Sequence, residues 1–189
     1  MTTRFYIPLS GTATDHYVRL AELVQVLETG PKRLLLILSG SGSICPDAAL
    51  SYIDVLQASG IPRAVTCLGN LFGADIALWL LSADLRDIRR NSWIYVPSRL
   101  ASPEDIAVGD TLVVAPRSIS SERDYQRCLD LVSEYVDLAQ LLDKQLSPRD
   151  LSDLYLLDTD FLENGMDLAA RQTERDVPDN LDRDTPTHS

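Results

Sequence analysis

Leu34-Leu35-Leu36-Ile37-Leu38-Ser39-Gly40-Ser41-Gly42-Ser43-Ile44 decides the reading of this 189-residue chain. Five consecutive large apolar residues without polar alternation suit a strand covered on both faces, the kind found in mostly parallel sheets. The small residues at 39–43 form a loop at its carboxyl end. Upstream, residues 5–9 are a short apolar run ended by Ser10-Gly11, and Asp15 is placed to cap a helix with the stripe Val18, Leu20, Leu23, Val24 and Leu27. Gly30-Pro31 stops that helix. Downstream, Pro46 suits a first helical turn and Asp47 favours its positive end, while Ala49, Ile53 and Leu56 mark a buried stripe before Gly60-Ile61-Pro62. Residues 64–68 read as a strand, 69–73 as a turn, and 74–81 as a helix so apolar that it must be central. The alternation predicts right-handed βαβ crossovers and an α/β fold with a mostly parallel sheet.

Further along, residues 92–96 read as a strand and 101–110 as an irregular excursion before a short apolar segment at 111–115. A long helix is expected from residue 121 or 122 to about 144. Its apolar residues Leu129, Leu131, Val132, Tyr135, Val136, Leu138 and Leu141 exceed the single stripe that a surface helix needs. Subunit contact and burial within the monomer both account for that surplus. Ser147-Pro148-Arg149-Asp150 looks like a new helix start. The polar, acidic residues 173–189 are expected to be a disordered tail after a domain at 1–172.

Composition narrows the function. A net charge of -11 and a pI near 4.5 argue against attraction to nucleic acid or an anionic membrane, which needs clustered Lys and Arg. The one basic stretch, Arg86 with Arg89 and Arg90, is interrupted by Asp87 and reads as a solvated turn. Cys45, Cys67 and Cys128 are widely spaced beside apolar residues, like thiols of a reducing compartment rather than a disulfide framework or a metal site. The first residues show no signal-peptide pattern, and no apolar run is long enough to span a bilayer, so a cytoplasmic location is expected. No cofactor and no metal are expected.

Two segments resemble the proteolytic subunit of the Clp protease and the wider crotonase superfamily. Ile37-Leu38-Ser39-Gly40-Ser41-Gly42-Ser43-Ile44 stands where that family has Ile-Asn-Ser-Pro-Gly-Gly-Ser-Val. Cys67-Leu68-Gly69-Asn70-Leu71-Phe72-Gly73-Ala74 stands where it has Cys-Ile-Gly-Gln-Ala-Ala-Ser-Met, and Arg90-Asn91-Ser92-Trp93-Ile94 is similar to its Pro-Asn-Ser-Arg-Val. The resemblance implies a ClpP/crotonase-like fold of repeated ββα and βαβ units. It also implies an oxyanion hole made by the backbone N–H groups of Gly42 and Ala74, which depends on no side chain.

By the same resemblance the family's serine nucleophile falls on Gly73, its histidine base on Pro97 or Ser98, and its aspartate on Asp158, with Asp160 the neighbouring candidate. Glycine has no attacking atom, and neither proline nor serine accepts a proton near neutral pH. The expectation is therefore a ClpP-like pseudo-protease, a structural or regulatory subunit that assembles with itself or with an active ClpP-like paralogue; an AAA+ unfoldase partner is implied by resemblance alone. Two alternatives are a serine hydrolase with a relocated nucleophile, for which Ser39, Ser41 and Ser43 are at hand, and a crotonase-like acyl-coenzyme A binder using Asp75 or Asp47. Against the first, His16 reads as a surface residue at a helix start and His188 belongs to the tail. Against the second, both acids read as ordinary first-turn residues.

Overall fold

The computed structural model describes residues 2–40, 43–100 and 119–157, with side chains of the last segment from 121 onward. Strand β1 (Thr2–Pro8) leads through α1 (Ala13–Glu28) to β2 (Arg33–Ser39), then α2 (Pro46–Ser59), β3 (Arg63–Cys67) and the two-residue β4 (Leu71–Phe72). Next come α3 (Asp75–Leu81), β5 (Leu85–Ile88), β6 (Ile94–Tyr95), α4 (Ile119–Ser133), α5 (Leu138–Leu141), β7 (Gln145–Leu146) and α6 (Pro148–Asp153).

The four-stranded sheet has the order β1-β2-β3-β5 with every pair parallel. Register places Phe5 beside Leu36, Leu36 beside Val65, and Leu38 between Ile7 and Cys67, all buried. A smaller sheet, β4-β6-β7, pairs β4 with β6 in parallel and β6 with β7 antiparallel. The predicted apolar run at 34–38 is thus an inner strand, with partners on both sides and little water on either face. Every residue of α3 is buried, as its composition requires. Trp79 anchors α3 to β5 by donating its indole N–H to the Asp87 carbonyl at 3.0 Å.

Several expectations need correction. The cap of α1 is Thr12, which accepts from the Asp15 N–H while the Asp15 carboxylate accepts from the Thr12 N–H, a reciprocal capping box. The turn expected at 69–73 contains β4, and the strand expected at 92–96 is regular only at Ile94–Tyr95. The basic stretch is a solvated turn only at Arg89 and Arg90, which are exposed. Arg86 lies in β5, and its guanidinium donates to the carbonyls of Leu80 (3.1 Å), Leu156 (3.3 Å) and Ala83 (3.5 Å).

The long helix stops at Ser133, eleven residues short of the expected end near 144. The Tyr135 and Val136 N–H groups both turn back to the Val132 carbonyl, and Asp137 opens α5 by accepting from the Ala139 N–H. The surplus apolar residues turn inward on this bent path. Leu129, Val132 and Leu141 are buried, Leu131, Val136 and Leu138 pack against the core, and Tyr135 alone of the set is exposed.

The three cysteines are free thiols, with Cys45 half-buried and the other two buried. No helix among the described residues is long and apolar enough to cross a membrane. Compactness groups Met1–Asp158 as one unit. The expected tail at 173–189 and the segment 101–118 lie outside the described residues.

Candidate functional site

β2 and β3 end side by side because they pair in parallel, so the loops that follow them meet. The Leu68 N–H donates to the Leu38 carbonyl at 2.9 Å, and the loops then approach so closely that a Cβ on Gly69 would stand 1.9 Å from the Gly40 carbonyl oxygen. Only glycine fits there. Asn70 turns the chain by accepting the Trp93 N–H on its side-chain oxygen at 3.1 Å. That contact delivers β4 to β6, where the Phe72 and Tyr95 rings stack with centroids 5.7 Å apart.

Gly73 follows β4 with φ of +57°, the left-handed region that favours glycine, and its N–H donates to the Tyr95 carbonyl at 3.0 Å. A Cβ built on Gly73 would meet the Ser43 hydroxyl oxygen at 3.5 Å and Tyr125 Cε2 at 3.7 Å. Tyr125, fully buried on α4, donates its hydroxyl to the Pro97 carbonyl at 2.6 Å. One phenol thus links Gly73, to which the resemblance assigns the nucleophile, with Pro97, one of the two positions to which it assigns the base. Burial pushes the Tyr125 phenol upward, so it stays a neutral donor. Ser98 faces elsewhere: its N–H donates to the Asp143 carboxylate at 2.9 Å, and that hydrogen bond holds Asp143 below the usual carboxylate range.

Behind Gly73, Asp75 is wholly buried. Its two carboxylate oxygens accept from the Ile44 N–H at 2.8 Å and the Phe72 N–H at 3.0 Å, tying the loop after β2 to β4. Burial raises its pKa well above the ordinary carboxylate value, and the two N–H donors counter that only in part. The first-turn reading of Asp75 therefore misses its role, since it serves as an internal staple between backbone segments.

Asp47 does sit in the first turn of α2, where it accepts from the Tyr17 hydroxyl at 2.7 Å. Burial would raise its pKa, but the hydrogen bonds from Tyr17 and the Cys45 thiol outweigh that and lower it. Asp47 and Asp75 belong to different elements with different partners, and neither is held by a base.

Ser43 donates its hydroxyl to backbone carbonyls, Phe72 at 3.2 Å and Ile44 at 3.4 Å. His16 is no surface residue. It is 1% exposed against Tyr52 of α2. Ala74 is buried at the start of α3. Gly42, Ser41, Asp158 and Asp160 lie outside the described residues. Among the described residues, no three His, Cys, Asp or Glu side chains converge to hold a metal ion.

Tyr125 escaped the sequence reading, although it shares a stripe with Leu129 and Val132 at helical spacing of four and seven. The signal for Asp75 was a single acid inside an otherwise apolar run.

Parallel strands ending in two touching glycine loops, followed by a buried helix, define the ClpP-like arrangement. Among solved structures, the chain is similar to a ClpP1 mutant from Listeria monocytogenes, with a TM-score of 0.54 and 16% identity over 82% of this chain and 88% of that one. No family model matches the sequence, and no curated protein matches it. At that identity the likeness establishes the fold: this is a mixed α/β, ClpP-like fold with a mostly parallel main sheet.

Proposed function

We propose that this chain is a ClpP-like protein without peptidase activity, acting as a structural or regulatory subunit of an oligomeric assembly. The observation that carries the reading is the Tyr125 phenol packed beside Gly73 and bonded to the Pro97 carbonyl. Where the family has a serine and a histidine, this chain has Gly73, without a side chain, and either Pro97 or Ser98, with the Tyr125 ring packed beside the first and bonded to the Pro97 carbonyl. A tyrosine with a raised pKa is no general base near neutral pH.

Ser43 is the nearest hydroxyl to the Gly73 position, yet it donates to carbonyls and has no imidazole or free carboxylate beside it among the described residues. That weighs against a relocated nucleophile. The staple formed by Asp75 weighs against the acyl-coenzyme A alternative, because both of its oxygens are occupied.

Assembly rests on the ClpP-like fold rather than on α4, whose apolar residues turn inward. A homo-oligomer, or a hetero-oligomer with an active ClpP-like paralogue, is the expected state, and an AAA+ unfoldase is the axial partner that such a subunit would serve.

The test is exposure of the full chain to a fluorophosphonate and a β-lactone serine probe, beside an active Clp peptidase as control, with light scattering of the chain alone and mixed with that peptidase. No labelling together with a particle larger than a monomer is the expected result. Labelling at Ser43 or any other serine overturns the inactive reading, and a monomer in both samples overturns the assembly.

A further inference from the structure

The chain has two histidines, His16 and His188. His16 follows the capping-box Asp15 in the first turn of α1, and the helix presses it against α2. Its ring meets the Tyr52 ring edge-on, with centroids 6.3 Å apart and planes at 90°. The Tyr52 hydroxyl reaches past it to the His16 carbonyl oxygen at 3.0 Å. Neither Nδ1 nor Nε2 of His16 has a hydrogen-bond partner among the described residues, although the residue is only 1% exposed. A neutral imidazole carries one donor and one acceptor, and burial without partners is unfavourable for both. For the charged ring the penalty is far larger.

The polar and charged groups around the ring have other partners. On α1, the Asp15 carboxylate is taken by the Thr12 N–H and hydroxyl, and the Tyr17 hydroxyl is given to Asp47. One turn on, Arg19 pairs with Glu22. On α2, Asp47 already accepts from Tyr17 and from the thiol of Cys45, which burial pushes up to about 11. From α4, Cys128 contacts the Pro46 carbonyl at 3.8 Å, and the Asp124 charge acts on Tyr17 and Cys128. Asp15 and Asp47 attract a proton toward His16, but burial outweighs them and the pKa of the ring falls below its ordinary value.

We propose that His16 is an acid-sensitive pin in the seam between α1 and α2: neutral, it packs on Tyr52 and holds the first turn of α1 in place, and protonated, it leaves the seam and that turn loosens. The sign follows from linkage. The unfolded chain takes up a proton near pH 6.5 and the native chain does so only at lower pH, so stability is complete above about 6.5 and declines as pH falls below it.

The experiment measures urea unfolding of the full chain from pH 8 to pH 5, for the wild type, His16→Phe and His16→Gln, with hydrogen exchange resolved along α1 and proton NMR of the imidazoles. The expected result is a wild-type folding equilibrium constant that, taken relative to His16→Phe at each pH so that other titrating groups cancel, falls by up to about tenfold per pH unit below about 6.5, the slope of one proton. Amides of α1 should exchange faster at pH 5 while those of β2 stay protected, and both substitutions should flatten the slope. The His16 imidazole signal should titrate at a lower pH than an ordinary histidine. An unchanged slope in His16→Phe overturns the proposal. If the variants do not fold, the wild-type spectra decide alone: a His16 signal with an ordinary titration, or an α1 indifferent to acid, overturns it equally.

Discussion

Asp75 and His16 are both buried to within 1% of complete, and both lie in the first turn of a helix, yet their surroundings are opposite. Around Asp75 the backbone was built to receive a carboxylate: the Ile44 N–H takes one oxygen and the Phe72 N–H the other. Around His16 nothing among the described residues receives the ring nitrogens. A buried polar group with partners fixes its neighbours, whereas one without partners lowers stability and adds a dependence on pH. Asp75 therefore ties the segments at Ile44 and Phe72 together, and the α1/α2 seam is the part that acid should open. Their pH dependences also run in opposite directions. A carboxyl with a raised native pKa favours the fold at low pH and loses that contribution as pH rises from about 4 towards its native value, while His16 loses its contribution as pH falls below about 6.5.

Substitutions sharpen the contrast. Gly69→Ala should have the largest effect, since its Cβ would stand 1.9 Å from the Gly40 carbonyl and backbone must separate from backbone. We expect a loss of about 3 kcal/mol or failure to fold, measured by urea unfolding with expression yield as a companion. Asp75→Ala leaves the Ile44 and Phe72 N–H groups unpaired inside the protein and should lower stability by about 2 to 3 kcal/mol. In the same titration, Asp75→Asn should remove the decline above pH 4, and an unchanged profile would break the assignment of that slope.

Tyr125→Phe deletes one buried hydrogen bond to Pro97, so a loss of about 1 kcal/mol is expected, with no gain of serine-probe labelling. The smallest change belongs to His16→Leu at pH 8. Removing two unpartnered polar atoms should compensate for the altered packing, giving a net change within about 1 kcal/mol of zero. A loss as large as that of Asp75→Ala would mean that His16 has partners after all, and the comparison would collapse.

The parts of the fold that were legible in the sequence are those where one local signal settles the question. The apolar run at 34–38 announced an inner strand, and the run at 74–81 a central helix. The glycine loops resembled a known pair and do meet. β5 was missed because Arg86 and Asp87 look like solvent-facing charges. Their partners are three carbonyls for Arg86, two from the preceding turn at Leu80 and Ala83 and one from the distant Leu156, and for Asp87 the Thr66 hydroxyl on the neighbouring strand. The end of α4 was misplaced because apolar spacing continues past Ser133. The break arises where Asp137 caps a new turn, which a helical pattern does not register.

By itself, the sequence determined the alternation of β1, α1, β2, α2, β3 and α3, the parallel character of the main sheet and the identities Gly73, Pro97 and Ser98 at the positions that the resemblance singles out. Those are matters of composition and short-range period, fixed by which side chains can leave water and which backbone angles a residue allows. Only the tertiary structure decided that Tyr125 fills the space beside Gly73, that Asp75 joins two loops and that His16 lies buried without a partner. Each depends on atoms brought together from segments about 30 or more residues apart, or on partners that are missing, and neither is written in the local pattern of the chain.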